Sequence, residues 1–234
     1  MWILAINTAT DALGVGIVRC EAGRPIESAA EVLLAPPGAG RGGHSERLLP
    51  ALAWAAESAG LTPADLGGVA VVVGPGGFTG IRTGLAAAKA ISQSRGIPIW
   101  GVDTLEALAA GYPARGLVSP LLDARRGDVF AALYRRSGPT GLDLVAPPAL
   151  VPLAAWLEEL AGSDVVFLGE GAVRNAATAA GTPPEAHVVR PATVARLAAP
   201  HLAEGGEDPM ALVPRYHRAP VMAPDWRPGA GMKS

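Results

Sequence analysis

Three polar clusters interrupt an otherwise apolar chain, and each carries residue types that could meet a phosphate or a metal. They are Asn7-Thr-Ala-Thr-Asp11, Gly74-Pro-Gly-Gly-Phe-Thr-Gly-Ile-Arg82 and Asp123-Ala-Arg-Arg-Gly-Asp128. In the first, Thr8, Thr10 and Asp11 either hydrogen-bond a nucleotide or simply build the turn. In the second, Gly74, Gly76 and Gly77 permit backbone angles that other residues avoid, and the helix expected behind them starts with free N–H groups that attract anions or another polar partner. It is not a P-loop, which needs lysine followed by Ser or Thr, because Gly80 is followed by Ile81 and Arg82. A purely structural loop explains it equally well. In the third, Asp123 has the chemistry of a base or magnesium ligand, while Arg125 and Arg126 fit either a phosphate or local ion pairs in a solvated turn.

A catalytic metal usually takes about three His, Asp, Glu or Cys ligands. His44, His187, His201 and His217 show no ligand spacing, so neither a metal site nor a catalytic residue is assigned. Glu46 reads as a first-turn carboxylate favoured by the helix dipole. Cys20 is the only cysteine, which excludes an internal disulfide and fits a reducing cytoplasm. The apolar start from Met1 to Ile6 is too short for a signal peptide and no run approaches a membrane span, so a cytoplasmic protein is expected. At 234 residues, 50% hydrophobic and 17% charged, the chain is ample for a core. Its formal charge of -2 argues against a strongly basic nucleic-acid surface, so any RNA contact has to be shared or local.

The clusters need elements to hold them. Trp2–Ile6 and Gly14–Val18 read as a hairpin with the first cluster at its tip. A Gly/Pro loop at 36–43 leads to a helix over 45–59, where Leu48 and Leu52 share one face. Val69–Val73 reads as a buried strand, followed by a helix over 80–94 capped by Thr79, a strand over 97–102 and a helix over 105–110. The pattern then repeats. Leu117–Leu122 and Val129–Tyr134 flank the third cluster, and Val165–Leu168 enters Gly169-Glu-Gly171 and a helical stretch at 173–180. Two echoes in the same order predict a duplicated α/β architecture, with lobes at 1–112 and 113–219 and an extended tail at 220–234. Pro147–Leu160 reads as a proline-rich turn and a helix around Trp156. On the 80–94 helix, Gly80, Gly84 and Ala88 make a smooth stripe beside Ile81 and Leu85, which predicts burial on more than one face, against a partner or inside its own domain.

Paired lobes that each open with a polar-tipped hairpin resemble the plan of the actin, sugar kinase and Hsp70 superfamily. More specifically, Ile3-Leu-Ala-Ile-Asn-Thr-Ala-Thr10, His44-Ser-Glu-Arg-Leu-Leu-Pro50, Gly74–Arg82, Gly101-Val-Asp-Thr-Leu105, Asp123–Val129 and Pro214-Arg-Tyr-His-Arg218 resemble the TsaB (YeaZ) family. The resemblance implies a duplicated actin-like fold and a part in making N6-threonylcarbamoyladenosine at position 37 of tRNAs reading codons that begin with A. It implies that the paralogue TsaD transfers the threonylcarbamoyl group, that this chain is a scaffold forming a heterodimer with TsaD or a homodimer alone, that the ATPase TsaE joins them, and that tRNA is met only through the complex. The helices 45–59 and 80–94 are the implied docking surface, with Leu48, Leu52, Gly80, Ile81, Gly84, Leu85 and Ala88 as interface positions. Thr8, Thr10, Gly74, Gly76 and Asp123 are the positions for weak ATP or ADP contact, with no cofactor required.

The chain departs from the family pattern at three points. The paralogue's His-x-x-x-His metal motif meets Leu48 four residues after His44, Asn7 stands where an aspartate is expected, and Gly77 where a serine is. All three weaken the alternative of an independent ATP-dependent phosphotransferase or metallopeptidase-like enzyme of the same superfamily.

Overall fold

The computed structural model describes residues 1–21, 27–34, 43–138, 141–175, 178 and 181–216. The Gly/Pro loop up to position 42, His217, Arg218 and the expected tail lie outside the described residues.

Strand β1 (Trp2–Asn7) pairs antiparallel with β2 (Leu13–Arg19), and β2 antiparallel with β3 (Glu27–Leu34). Helix α1 (His44–Ala59) and a 3-10 turn at Pro63–Asp65 cross over to β4 (Leu66–Gly74), which lies parallel to β1. Helix α2 (Phe78–Arg95) crosses to β5 (Ile99–Asp103), parallel to β4, and α3 (Thr104–Gly111) follows. The sheet order is β3-β2-β1-β4-β5.

The second half repeats this order without the fifth strand. Strands β6 (Gly116–Arg125), β7 (Asp128–Arg136) and β8 (Leu142–Pro152) form the meander, and α4 (Leu153–Glu159) crosses to β9 (Val165–Leu168), parallel to β6. The second sheet runs β8-β7-β6-β9, followed by α5 (Glu170–Arg174). Two mixed sheets of matching connectivity flanked by helices make this a duplicated actin-like α/β fold.

Alternation along buried strands explains the layering. Leu4 and Ile6 of β1, with Val69, Val71 and Val73 of β4, face Leu48, Ala51, Ala55, Leu85 and Ala88 of α1 and α2. Ile3, Ala5, Ala70 and Val72 point the other way, into a core shared with α3, with Val118 and Leu122 of β6, and with α6 (Pro191–Ala203). On the far face of the second sheet, Leu121, Ala131 and Leu133 pack on Trp156 and Ala172, and the Trp156 indole N–H donates to Ser119 Oγ at 2.9 Å.

Three elements were not foreseen. Residues 142–152 are strand through Pro147 and Pro148, because β8 sits at a sheet edge where a proline's missing N–H is harmless. Strand β3 closes the other meander. Helix α6, inside the segment expected as the second lobe, crosses back onto the first sheet, where Pro191 packs over Gly14 and Gly16, and Leu202 over Gly68. Where a helix is expected over 173–180, a five-residue helix over Glu170–Arg174 ends at Asn175, and positions 176, 177, 179 and 180 lie outside the described residues.

Candidate functional site

Both lobes present the C-terminal ends of their central strands to one cleft, and the polar clusters meet there. The β1 tip folds onto itself. Asn7 donates to Thr10 Oγ1 at 2.9 Å and accepts from the Ala9 N–H at 3.1 Å, which uses its amide as both donor and acceptor. Thr10 donates onward to the Ala12 carbonyl at 3.1 Å, and His44 Nε2 donates to the Thr10 carbonyl at 2.8 Å. The buried Thr8 hydroxyl donates to the Gly80 carbonyl at 2.7 Å, and the Gly77 N–H to the Ala9 carbonyl at 2.7 Å. The tip is therefore stitched to the start of α2.

That start is two residues earlier than the sequence predicts. Gly77 is the cap residue, Phe78 opens the helix, and Thr79 lies within the first turn, where its carbonyl accepts from Thr83 Oγ1 at 2.9 Å. Gly76 takes φ of 153°, and a side chain there would run into the Ala9 carbonyl. Gly74, at φ of 115°, lies so close to residue 215 that an added Cβ would stand 2.7 Å from the Arg215 carbonyl. Both glycines serve close approach of the chain to itself.

On the other lobe, Asp123 accepts from the Arg125 N–H at 2.9 Å and pairs with the Arg125 guanidinium at 3.3 Å. The helix after β9 then crosses the cleft. Arg174 pairs with Asp123 through one guanidinium nitrogen and with Asp11 through the other, at 2.8 Å. Glu170 accepts from the Asp11 N–H at 3.2 Å. Burial first, and the neighbouring Asp11 carboxylate second, push the Glu170 carboxyl up to about 7, against a partial offset from Arg174. A recess of about 90 Å³ beside Asp123, Asp128, Arg174 and Asn175 is small against the roughly 300 Å³ or more of ordinary ligand pockets.

Thr8, Thr10, Gly74, Gly76 and Asp123 thus converge on one cleft, each engaged in contacts within the chain. Glu170 and Arg174 were missed. The signal was available, since Gly169-Glu-Gly171 mirrors Gly74-Pro-Gly76 and so must enter the cleft from the opposite lobe. Among the described residues no three His, Cys, Asp or Glu side chains gather as a metal would need.

The expected interface positions lie largely inside the chain. Leu48, Ile81, Leu85 and Ala88 are buried within the chain, as are Gly80 and Gly84, and Leu52 is half-buried. A side chain at Gly80 would strike the Thr8 carbonyl, and one at Gly84 the Thr8 hydroxyl. The small-residue stripe lets α2 settle onto its own sheet and tip. What the two helices show to solvent is Leu49, 68% exposed, Trp54, 48% exposed, and Ala53, Ala86 and Ala90.

A family model described as TsaD, tRNA N6-adenosine threonylcarbamoyltransferase, matches residues 35–199. The tRNA threonylcarbamoyladenosine biosynthesis protein TsaB of Bacillus subtilis is 39% identical over 172 residues, covering 72% of this chain and 71% of that protein. The Escherichia coli protein of the same name is 33% identical over 139 residues, covering 58% of this chain and 56% of that protein. The solved structure of YeaZ from Pseudomonas aeruginosa superposes with a TM-score of 0.70 over 92% of this chain and 99% of that one, at 23% identity, which speaks for the fold. A matching family model over most of the chain, a close relative covered over more than two thirds of its length and the shared two-lobed fold lead to one conclusion: the chain belongs to the TsaB (YeaZ) family of tRNA threonylcarbamoyladenosine biosynthesis proteins.

Proposed function

We propose that this chain is a non-catalytic docking subunit of the tRNA threonylcarbamoyltransferase. In this reading TsaD performs the transfer to adenosine 37, this chain holds TsaD in a heterodimer, TsaE joins the assembly, and tRNA meets the complex. Alone, the chain pairs with a second copy of itself through the same surface, and it needs no cofactor of its own.

One observation carries the non-catalytic reading: the polar groups of the cleft are spent on each other. Asn7 and Thr10 satisfy the turn, Thr8 satisfies Gly80, and Arg174 bridges Asp11 and Asp123. A phosphotransferase needs a carboxylate poised toward substrate, and Asp123 faces two guanidinium groups instead. The docking reading draws support from the exposed Leu49 and Trp54 beside Ala53, Ala86 and Ala90, since large apolar side chains left on a surface mark interaction sites.

The test is threonylcarbamoyladenosine formation on unmodified tRNA with the same organism's TsaD, TsaE and adenylate-forming enzyme, with and without this chain. Product that requires the chain, with a nearly unchanged rate for Asp123→Ala, supports the reading. Equal product without the chain overturns it, and a collapse of the rate in Asp123→Ala beside an intact complex returns catalysis to this cleft.

A further inference from the structure

Charge along α2 is one-sided. Its 18 residues include Arg82, Lys89 and Arg95 and no acid. About 100° of rotation per residue places Phe78, Arg82, Lys89 and Gln93 on one flank, away from the α1 side occupied by Ala87 and Ile91. The segment that follows α6 runs back along this flank. Gln93 donates to Met210 Sδ at 3.1 Å near one end, and Arg82 Nε donates to the Tyr216 hydroxyl at 2.8 Å near the other. From Pro209 to Tyr216 the segment adds Arg215 and again no acid. The result is a cationic ridge on a chain whose formal charge is -2.

An aromatic stack ends the ridge. The Phe78 and Tyr216 rings lie 5.2 Å apart at 27°, and the Arg82 guanidinium sits 3.8 Å from the Phe78 ring centre. Phe78 is 51% and Tyr216 41% exposed. None of the ion pairs among the described residues involves Arg82, Lys89 or Arg215, although the Glu106 carboxylate lies within electrostatic reach of Arg215. Guanidinium groups outside any direct ion pair among the described residues, set beside exposed, pre-ordered rings, suit a ligand that is both anionic and flat. An unpaired nucleotide of an RNA strand has that combination, a base for the ring and phosphates for the cations.

We infer that the flank of Phe78, Arg82 and Lys89, completed by Arg215 and Tyr216, binds single-stranded RNA. One base stacks on the Phe78–Tyr216 pair while its phosphates meet Arg82 and Arg215. The inference rests on the tRNA-modification reading for the source of the strand, an unpaired segment of the tRNA itself.

The experiment measures binding of the full chain to a fluorescent, unmodified tRNA anticodon stem-loop at low salt, for wild type, Phe78→Ala and Arg82→Gln, with assembly on TsaD followed separately by gel filtration. Both substituted side chains are exposed, so circular dichroism should match wild type. Each variant is expected to weaken stem-loop binding by about tenfold, as loss of one stacked base or phosphate partner does, and Arg82→Gln also lowers the salt dependence. Assembly on TsaD stays unchanged. No stem-loop binding by wild type, or equal binding by the variants, overturns the inference. Loss of TsaD assembly with unchanged RNA binding overturns it in favour of a protein partner. If the chain proves dispensable for the modification while the stem-loop results hold, the docking-subunit reading fails and the RNA site stands.

Discussion

Arg174 lies 2.8 Å from Asp11 across the interlobe cleft and holds Asp123 with its other guanidinium nitrogen, so a single side chain ties the two hairpin tips together. Both ends of the Asp11 pair are half exposed, which limits each ion pair to about 1 kcal/mol or less. Arg174→Ala should therefore lower unfolding stability by about 1 kcal/mol in dilute buffer, and the difference from wild type should shrink in concentrated salt. Urea unfolding at two ionic strengths checks this. A gap that is insensitive to salt would mean that Arg174 acts through packing.

Glu170 gives the same junction a pH dependence. Its carboxyl is raised from 4.5 to about 7, so between those values the folded chain keeps a proton that the unfolded chain has released. Bound protons favour the folded state, and stability from this group falls as pH rises from about 4.5 to about 7. Glu170→Gln, neutral throughout, should remove that slope and gain on wild type toward pH 8. Thermal melts across this range decide it, with parallel pH profiles counting against a raised carboxyl.

Packing of α2 on the tip predicts intolerance at Gly84. A methyl group there meets the Thr8 hydroxyl, which is itself held by the Gly80 carbonyl. Gly84→Ala should cost about 1–3 kcal/mol, the ordinary range for overpacking, and Gly84→Arg should prevent folding. Denaturant midpoints for the alanine variant and soluble yield for the arginine variant report the two outcomes.

The exposed face should behave oppositely. Trp54→Asp and Ala86→Glu replace solvent-facing residues, so each should change stability by no more than about 0.5 kcal/mol. Each should nevertheless abolish co-elution with TsaD. Co-elution retained by both variants would move the docking surface away from α1 and α2.

Much of the architecture was legible because it is written in local pattern. The apolar run at 69–73 became the core of β4, the helix expected at 45–59 begins one residue earlier at His44, and the two polar-tipped hairpins opened the two sheets. Strand β8 was hidden by Pro147 and Pro148, whose meaning depends on whether the strand is central or at an edge. A nucleotide at Thr8, Thr10, Gly74, Gly76 and Asp123 was expected from the family resemblance rather than from any spacing. That these groups bond to one another was not legible.

The amino-acid sequence by itself determined which residues share a strand face or a helix face, that the chain is a duplicated α/β protein, and which family pattern it carries. Tertiary structure alone decided what covers each face. The stripe of Gly80, Gly84 and Ala88 turned inward onto Thr8, α6 returned to the first sheet, and Arg174 closed the cleft. The reason is the range of the forces involved. Periodicity of 3.6 or 2 residues is set by the local backbone, whereas the partner of a face is chosen by contacts between residues as far apart as Asp11 and Arg174, which no local spacing encodes.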